Sequence, residues 1–236
     1  MDQETTQEHA VIIACMDKRL NAPLDEFMAK LQGGSSGMGV TVLRNPGANV
    51  NGAKESIYAL ERSGTRPTAY YIMPHTDCAA VKLAADNVNV GASDISNKTL
   101  QAENLVKMLG EMDSLAFFDT KKNVIFADVA KVKAPHHDIG PVLVVTVTPS
   151  AKSYAEMAKT VGSDILDTYF VQALSPGEAS KDVFNFAKKI DASKIVVLCL
   201  TASSQEKSMA DGMVRQYSSL GIDSTAQSLR KDRIKG

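Results

Sequence analysis

Two short stretches carry the residue types that could do chemistry. Cys15-Met16-Asp17-Lys18-Arg19 follows the apolar run Val11-Ile12-Ile13, and His75-Thr76-Asp77-Cys78 follows Tyr70-Tyr71-Ile72-Met73. Apolar runs of this length read as buried strands of a parallel sheet. Cys15, Asp17 and Arg19 are spaced by two, which predicts side chains on one face of an extended backbone. Open α/β sheets keep their chemistry at the carboxyl ends of strands, so neighbouring strands would bring Cys15, His75 and Cys78 together. Two thiolates and one imidazole form a zinc ligand set. Each residue alone has a plainer reading, because a Cys behind an apolar run commonly just fills a core. The joint pattern is what points to a metal.

Three protein ligands leave a fourth position with two candidate occupants. One is water, whose pKa zinc lowers toward neutrality. The other is the Asp17 carboxylate. Arg19 on the same face could hold Asp17 in a paired-fork ion pair, so that Arg19 and zinc compete for Asp17 in an open and closed switch.

The elements that must position these residues come from periodicity. After the first strand, Leu24, Phe27, Met28 and Leu31 have helical spacing over 22–32, and Gly33-Gly34-Ser35-Ser36-Gly37 reads as a loop. A second strand over 39–43 runs into Arg44-Asn45-Pro46-Gly47, and then comes a helix with Ala53, Ile57 and Leu60. The third strand ends at His75, giving βαβαβ and hence a parallel sheet with right-handed crossovers. A helix starts near Cys78; 87–99 reads as a polar loop, 100–112 as a helix and 123–132 as a strand.

The pattern then begins again, with strands over 142–148, 167–173 and 195–200, helices over 151–161 and 205–220, and between them a helix carrying Val183, Phe186, Ala187 and Ile190. The shift is about 130 residues. Asn45-Pro46-Gly47 matches Ser175-Pro176-Gly177, and Thr76 and Lys82 match Thr201 and Lys207. In that register Leu200 stands for His75, Ser203 for Cys78, and Thr146 or Val144 for Cys15. The second copy carries no metal ligand. The expected fold is therefore α/β, a parallel-core sheet with flanking helices built from two pseudo-repeated βαβαβ units. A zinc-binding unit covers 1–138, and a degenerate repeat without metal ligands covers 139–236.

Bulk properties narrow the function classes. The 26 basic and 27 acidic residues nearly cancel, which gives no footprint for nucleic acid. No apolar segment approaches a membrane span. The polar, acidic first ten residues are unlike a secretory signal, so the expected compartment is the cytoplasm, with reduced thiols. Three cysteines suit a metal pair plus one bystander, and Cys199, inside an apolar run, is the bystander. His136-His137-Asp138 reads as a solvated loop rather than a proton shuttle or second metal site. Pro46-Gly47 and Pro176-Gly177 at helix starts are only a weak anion-binding signal.

Cys15-Met16-Asp17-Lys18-Arg19, Arg44-Asn45-Pro46-Gly47 and His75-Thr76-Asp77-Cys78 resemble the three signatures of the β-class carbonic anhydrases, especially their compact prokaryotic branch. The resemblance is good over about residues 9–86 and is lost at the level of motifs in the second half. It implies zinc (Zn2+) on Cys15, His75 and Cys78, with Asp17 and Arg19 as a catalytic dyad. It also implies reversible hydration of CO2 to bicarbonate by a zinc-bound hydroxide. Family members are dimers or multiples of dimers, which suggests either a homo-oligomer or a pseudo-dimer within one chain whose second unit completes the pocket wall. The chain departs from the family pattern at Ala79, where Gly is usual, and at Pro46, where Ala is usual. Hydrolysis of a CO2 analogue, carbonyl sulfide or carbon disulfide, is the enzymatic alternative. A non-catalytic zinc-stabilised interaction protein, with Asp17 closing the coordination, is the alternative from another class.

Overall fold

The fold is given by a computed structural model, which describes residues 8–34, 37–80, 121–125, 127–129, 132, 140–148, 152–201 and 203–229. The first half contributes β1 (His9–Cys15), α1 (Asn21–Gln32), β2 (Gly39–Asn45), α2 (Lys54–Arg62), β3 (Ala69–Met73) and β4 (Lys121–Val124). The second contributes β5 (Val142–Thr146), α3 (Tyr154–Val161), β6 (Thr168–Gln172), α4 (Pro176–Phe186), β7 (Lys194–Cys199), α5 (Ser204–Tyr217) and β8 (Asp223–Ser228). The expected α/β class is observed.

All eight strands form one sheet in the order β4-β3-β1-β2-β6-β5-β7-β8. Every pairing is parallel except the seam between β2 and β6, where Arg44 pairs with Gln172 antiparallel. From the seam outward, both halves read second, first, third and fourth strand. The central strands β1 and β5 are almost wholly buried, because helices cover both faces of a parallel sheet. That explains why they are continuous apolar runs rather than alternating ones.

The helices bury the stripes that their spacing predicts. Leu24 and Met28 of α1 and Ile57 and Leu60 of α2 are buried, and Ala53 is buried just before α2. Helix α3 starts at Tyr154, three residues later than expected. There Asp25 of α1 accepts hydrogen bonds from Ser153 Oγ (2.8 Å), Tyr154 N (2.6 Å) and Ala155 N (3.2 Å). An acid at a helix start satisfies amides that have no partner within the helix.

Similar ties cross the seam elsewhere. Glu178 accepts from the amides of Glu55 (2.7 Å) and Ser56 (3.1 Å) and from the Ser56 hydroxyl. Ser175 Oγ in turn donates to Glu55 (2.7 Å). A cleft of about 560 Å³ beside these ties is lined by residues of both halves, including Lys54, Lys181 and Asp182.

Two expectations change. The strand expected over 123–132 is β4, Lys121–Val124; beyond it Ile125 N donates to Ile72 O (2.9 Å), and an isolated bridge joins His75 and Ala127. Strand β8 was not expected at all, since Asp-Ser-Thr-Ala-Gln-Ser shows neither an apolar run nor alternation. It pairs along its full length with β7, at an edge where one side of the strand stays exposed and polar residues are tolerated. The loop over 87–99 and the helix over 100–112 lie outside the described residues.

Candidate metal centre

Strand β1 ends at Cys15, so the single-face arrangement expected for Cys15, Asp17 and Arg19 is not what brings them together. Lys18–Leu20 form a 3-10 turn, and Asp17 is its N-cap, accepting from Arg19 N at 2.9 Å. The turn, not strand alternation, folds Arg19 back over Asp17. On the neighbouring strand, β3 leads into His75-Thr76-Asp77-Cys78, with Asp77 in left-handed backbone (φ 55°) and helical backbone from Ala79. That reversal lets His75 and Cys78 face one point. The same loop is held from the other side by Thr76 N donating to Ala127 O (3.1 Å) and Val129 N donating to Thr76 Oγ1 (3.0 Å).

Cys15, His75 and Cys78 come together as the sequence predicts, their ligand atoms all within 4.8 Å of one another. The two Sγ atoms lie 3.9 Å apart, and all three residues are buried. His75 Nδ1 is 2.9 Å from the carbonyl oxygen of Thr76. A carbonyl only accepts, so Nδ1 carries the proton and Nε2 presents its lone pair. That Nε2 is buried without a hydrogen-bond partner, which is costly unless a ligand completes it. Gly47 N, in the turn after β2, donates to Cys15 Sγ at 3.2 Å. Gly47 has φ 77°, a conformation that glycine adopts without strain.

The hydrogen bond with Cys78, then burial, pushes the Cys15 thiol well up. Burial alone would lower His75, but its contacts with Cys15 and the nearby Asp17 charge outweigh that and raise it. A cation would reverse this balance by favouring thiolates and neutral imidazole. The donor set and the orphaned Nε2 fit a metal ion.

Asp17 lies outside the ligand group and is gripped by Arg19. Arg19 Nη2 donates to Asp17 Oδ2 at 2.7 Å, and Nε donates to Oδ1 at 3.1 Å. Burial alone would raise the Asp17 carboxyl, but the Arg19 bonds outweigh it and hold the pKa below the usual carboxylate range. The other edge of the guanidinium reaches the second loop, donating to Asp77 Oδ2 (3.3 Å) and Asp77 O (3.0 Å).

Two further residues at the site were not singled out from sequence. Arg44 is fully buried and donates to Cys15 O (2.9 Å), Asp17 O (2.8 Å) and Asn21 Oδ1 (2.6 Å). It thus fixes the backbone on both sides of Met16. Its guanidinium also lies 4.6 Å from the Tyr154 ring centroid, a cation–π contact with the second half. Phe170 N of β6 donates to Met16 O (3.4 Å), and next to it Tyr169 has its pKa pushed up to about 12, first by burial and then by the charge of Asp17. Lys18 Nζ is 5.7 Å from that ring and 3.3 Å from Asp167 Oδ1. Only the folded sheet shows that β6 passes this site.

The corresponding strand ends of the second half hold a carboxylate instead. Glu206 is buried there and accepts from Thr148 Oγ1 (2.7 Å), Leu200 N (2.9 Å), Thr201 N (2.7 Å) and the Thr201 hydroxyl. It joins the ends of β5 and β7.

Cys199 is buried in β7, apart from the ligand group. At the Pro-Gly turns, the Gly47 amide goes to Cys15 Sγ and the Glu178 amide to Ser175 Oγ, while Glu178 takes the Glu55 and Ser56 amides at the start of α2. His136-His137-Asp138 lies outside the described residues. Among the described residues no helix is long and apolar enough to cross a membrane. No protein-family model matches the chain, and no curated protein matches it.

Proposed function

We propose that the chain is a zinc enzyme of the β-class carbonic anhydrase type, catalysing reversible hydration of CO2 to bicarbonate. The observation that carries this reading is the buried Cys15–His75–Cys78 group with an unpartnered Nε2, next to a carboxylate that Arg19 keeps off the ligand set. Two thiolates and an imidazole favour zinc over harder cations. The zinc, when bound, supplies a nucleophile drawn from water near neutral pH.

The chain's own residues do the rest. Cys15 and Cys78 bind as thiolates, and His75 binds through Nε2 with its tautomer fixed by the Thr76 carbonyl. Asp17, ionised because Arg19 depresses its pKa, is an acceptor only and orients the attacking water by taking a hydrogen bond. Lys18, in the same turn as Asp17 and Arg19, is tied to the second half through the Tyr169 ring and Asp167. The matching strand orders on either side of the seam support a fused pseudo-dimer in which the second unit lends a wall and no metal.

Stopped-flow CO2 hydration between pH 7 and 9, with zinc content measured on the same sample, tests the proposal. Zinc near one per chain with hydration well above the buffer rate is expected. Full zinc without hydration at any of these pH values would leave a zinc-stabilised non-catalytic protein.

A further inference from the structure

We infer that Asp77 is a positioning residue that anchors Arg19 from the opposite loop and so keeps Asp17 away from the fourth metal position. The inference rests on the zinc reading and adds a component to it. Arg19 and Asp17 sit in the same turn, two residues apart, so their ion pair can move as one body toward or away from the ligands. Arg44 holds the turn's backbone at Asp17 O, and what holds the Arg19 guanidinium itself is a contact outside the turn. Arg19 Nη1 and Nη2 reach Asp77 Oδ2 (3.3 Å) and Asp77 O (3.0 Å), on the loop that carries His75 and Cys78. The guanidinium therefore presents one edge to Asp17 and another to Asp77, and spans the two loops that hold the three ligands.

The conformation of Asp77 agrees with this role. It is a non-glycine residue at φ 55°, a backbone state that costs about 1–3 kcal/mol and persists where surroundings enforce it. Its side chain is 52 % exposed, and exposed ion pairs contribute little to stability. A purely structural reading therefore expects removal of the side chain to be neutral or mildly stabilising, with no effect at the metal. The positioning reading expects an effect at the metal. With Arg19 freed on that side, the Asp17 carboxylate gains access to the fourth position, where two thiolates and an imidazole leave room for a single further ligand.

The test uses the full chain loaded with cobalt(II) in place of zinc and read by its visible absorption, with metal content and CO2 hydration measured alongside. Asp77→Gly removes the carboxylate and accepts φ 55° without strain. Its cobalt spectrum should differ from that of the unmodified chain, and the double variant D77G/D17N should return to the unmodified spectrum, because the entering ligand is gone. D77N, which also tolerates this backbone and keeps an oxygen acceptor, should shift the spectrum less and serves if D77G does not fold. A metal-loaded D77G, or failing that D77N, with an unchanged spectrum would overturn the inference. A shift that persists in the double variant would overturn it too. Failure of the unmodified chain to take up cobalt or zinc would instead sink the zinc reading itself, so the two failures are distinct.

Discussion

His75 Nδ1 donates a hydrogen bond to the carbonyl of its own neighbour, Thr76, at 2.9 Å, and Nε2, within the group formed with the two thiols, is left buried and without a hydrogen-bond partner. The protein should take up one zinc per chain and gain stability from it. A ligand at 100 times its dissociation constant adds about 2.7 kcal/mol. Thermal melts with and without zinc should separate accordingly for the unmodified chain. The shift should disappear in Cys15→Ser and His75→Gln.

The Asp17–Arg19 fork predicts a second outcome. Arg19→Ala should leave metal content intact while lowering kcat/KM for CO2 hydration by about 10²-fold or more, the scale of a lost acid–base or orienting group. Equal activity in Arg19→Ala and the unmodified chain would remove the dyad from the mechanism.

Arg44 makes a prediction about stability. Its bonds go to two backbone carbonyls and one side-chain carbonyl. Arg44→Met strands three buried acceptors, at a cost of about 1–3 kcal/mol for each one left unsatisfied. Urea unfolding should show a loss of about 3 kcal/mol or more. Zinc should also bind more weakly, because the carbonyl of the ligand Cys15 is no longer held.

The fourth prediction concerns pH. Burial, then the charge of Glu178, pushes the Asp182 carboxyl up to about 7 from its ordinary value of 3.8, with Lys181 opposing. The folded state thus holds its proton more tightly than the unfolded chain. The contribution to stability is fully present below the unfolded pKa and is lost as pH rises through about 7. Asp182→Asn should flatten that part of the profile and raise the urea midpoint at pH 8.5 relative to the unmodified chain. A profile unchanged by the substitution would contradict the assignment.

The ligand set was legible in the sequence because strand ends are legible. Val11-Ile12-Ile13 and Tyr70-Tyr71-Ile72-Met73 are buried runs, and the residues just after each run must lie at the carboxyl edge of the sheet. The parallel sense of the first three strands followed from the βαβαβ alternation, whereas their order β3-β1-β2 emerged only in the sheet. The geometry of Asp17 and Arg19 was not legible, since alternation assumes a strand that stops at Cys15. Arg44 was read only within a turn and a signature, and Tyr169 not at all, for a different reason: their partners are 23 to 29 and more than a hundred residues away, joined through sheet pairings that no local pattern encodes. Strand β8 was missed because an edge strand can be polar. Glu206 stood in a visible Ser-x-x-Glu capping pattern at Ser203, but its carboxylate turns back to Leu200 and Thr201 instead of completing the box.

The antiparallel seam at Arg44 and Gln172 joins two parallel half-sheets that belong to one polypeptide. Between separate subunits such a contact dissociates on dilution. Here the connecting chain sets an effective local concentration on the order of millimolar, whatever the concentration of protein in solution. The ties from Lys18 to Tyr169 and Asp167 are thus retained in a single isolated molecule, and occupancy of the metal group in one half never has to wait for an encounter with the other.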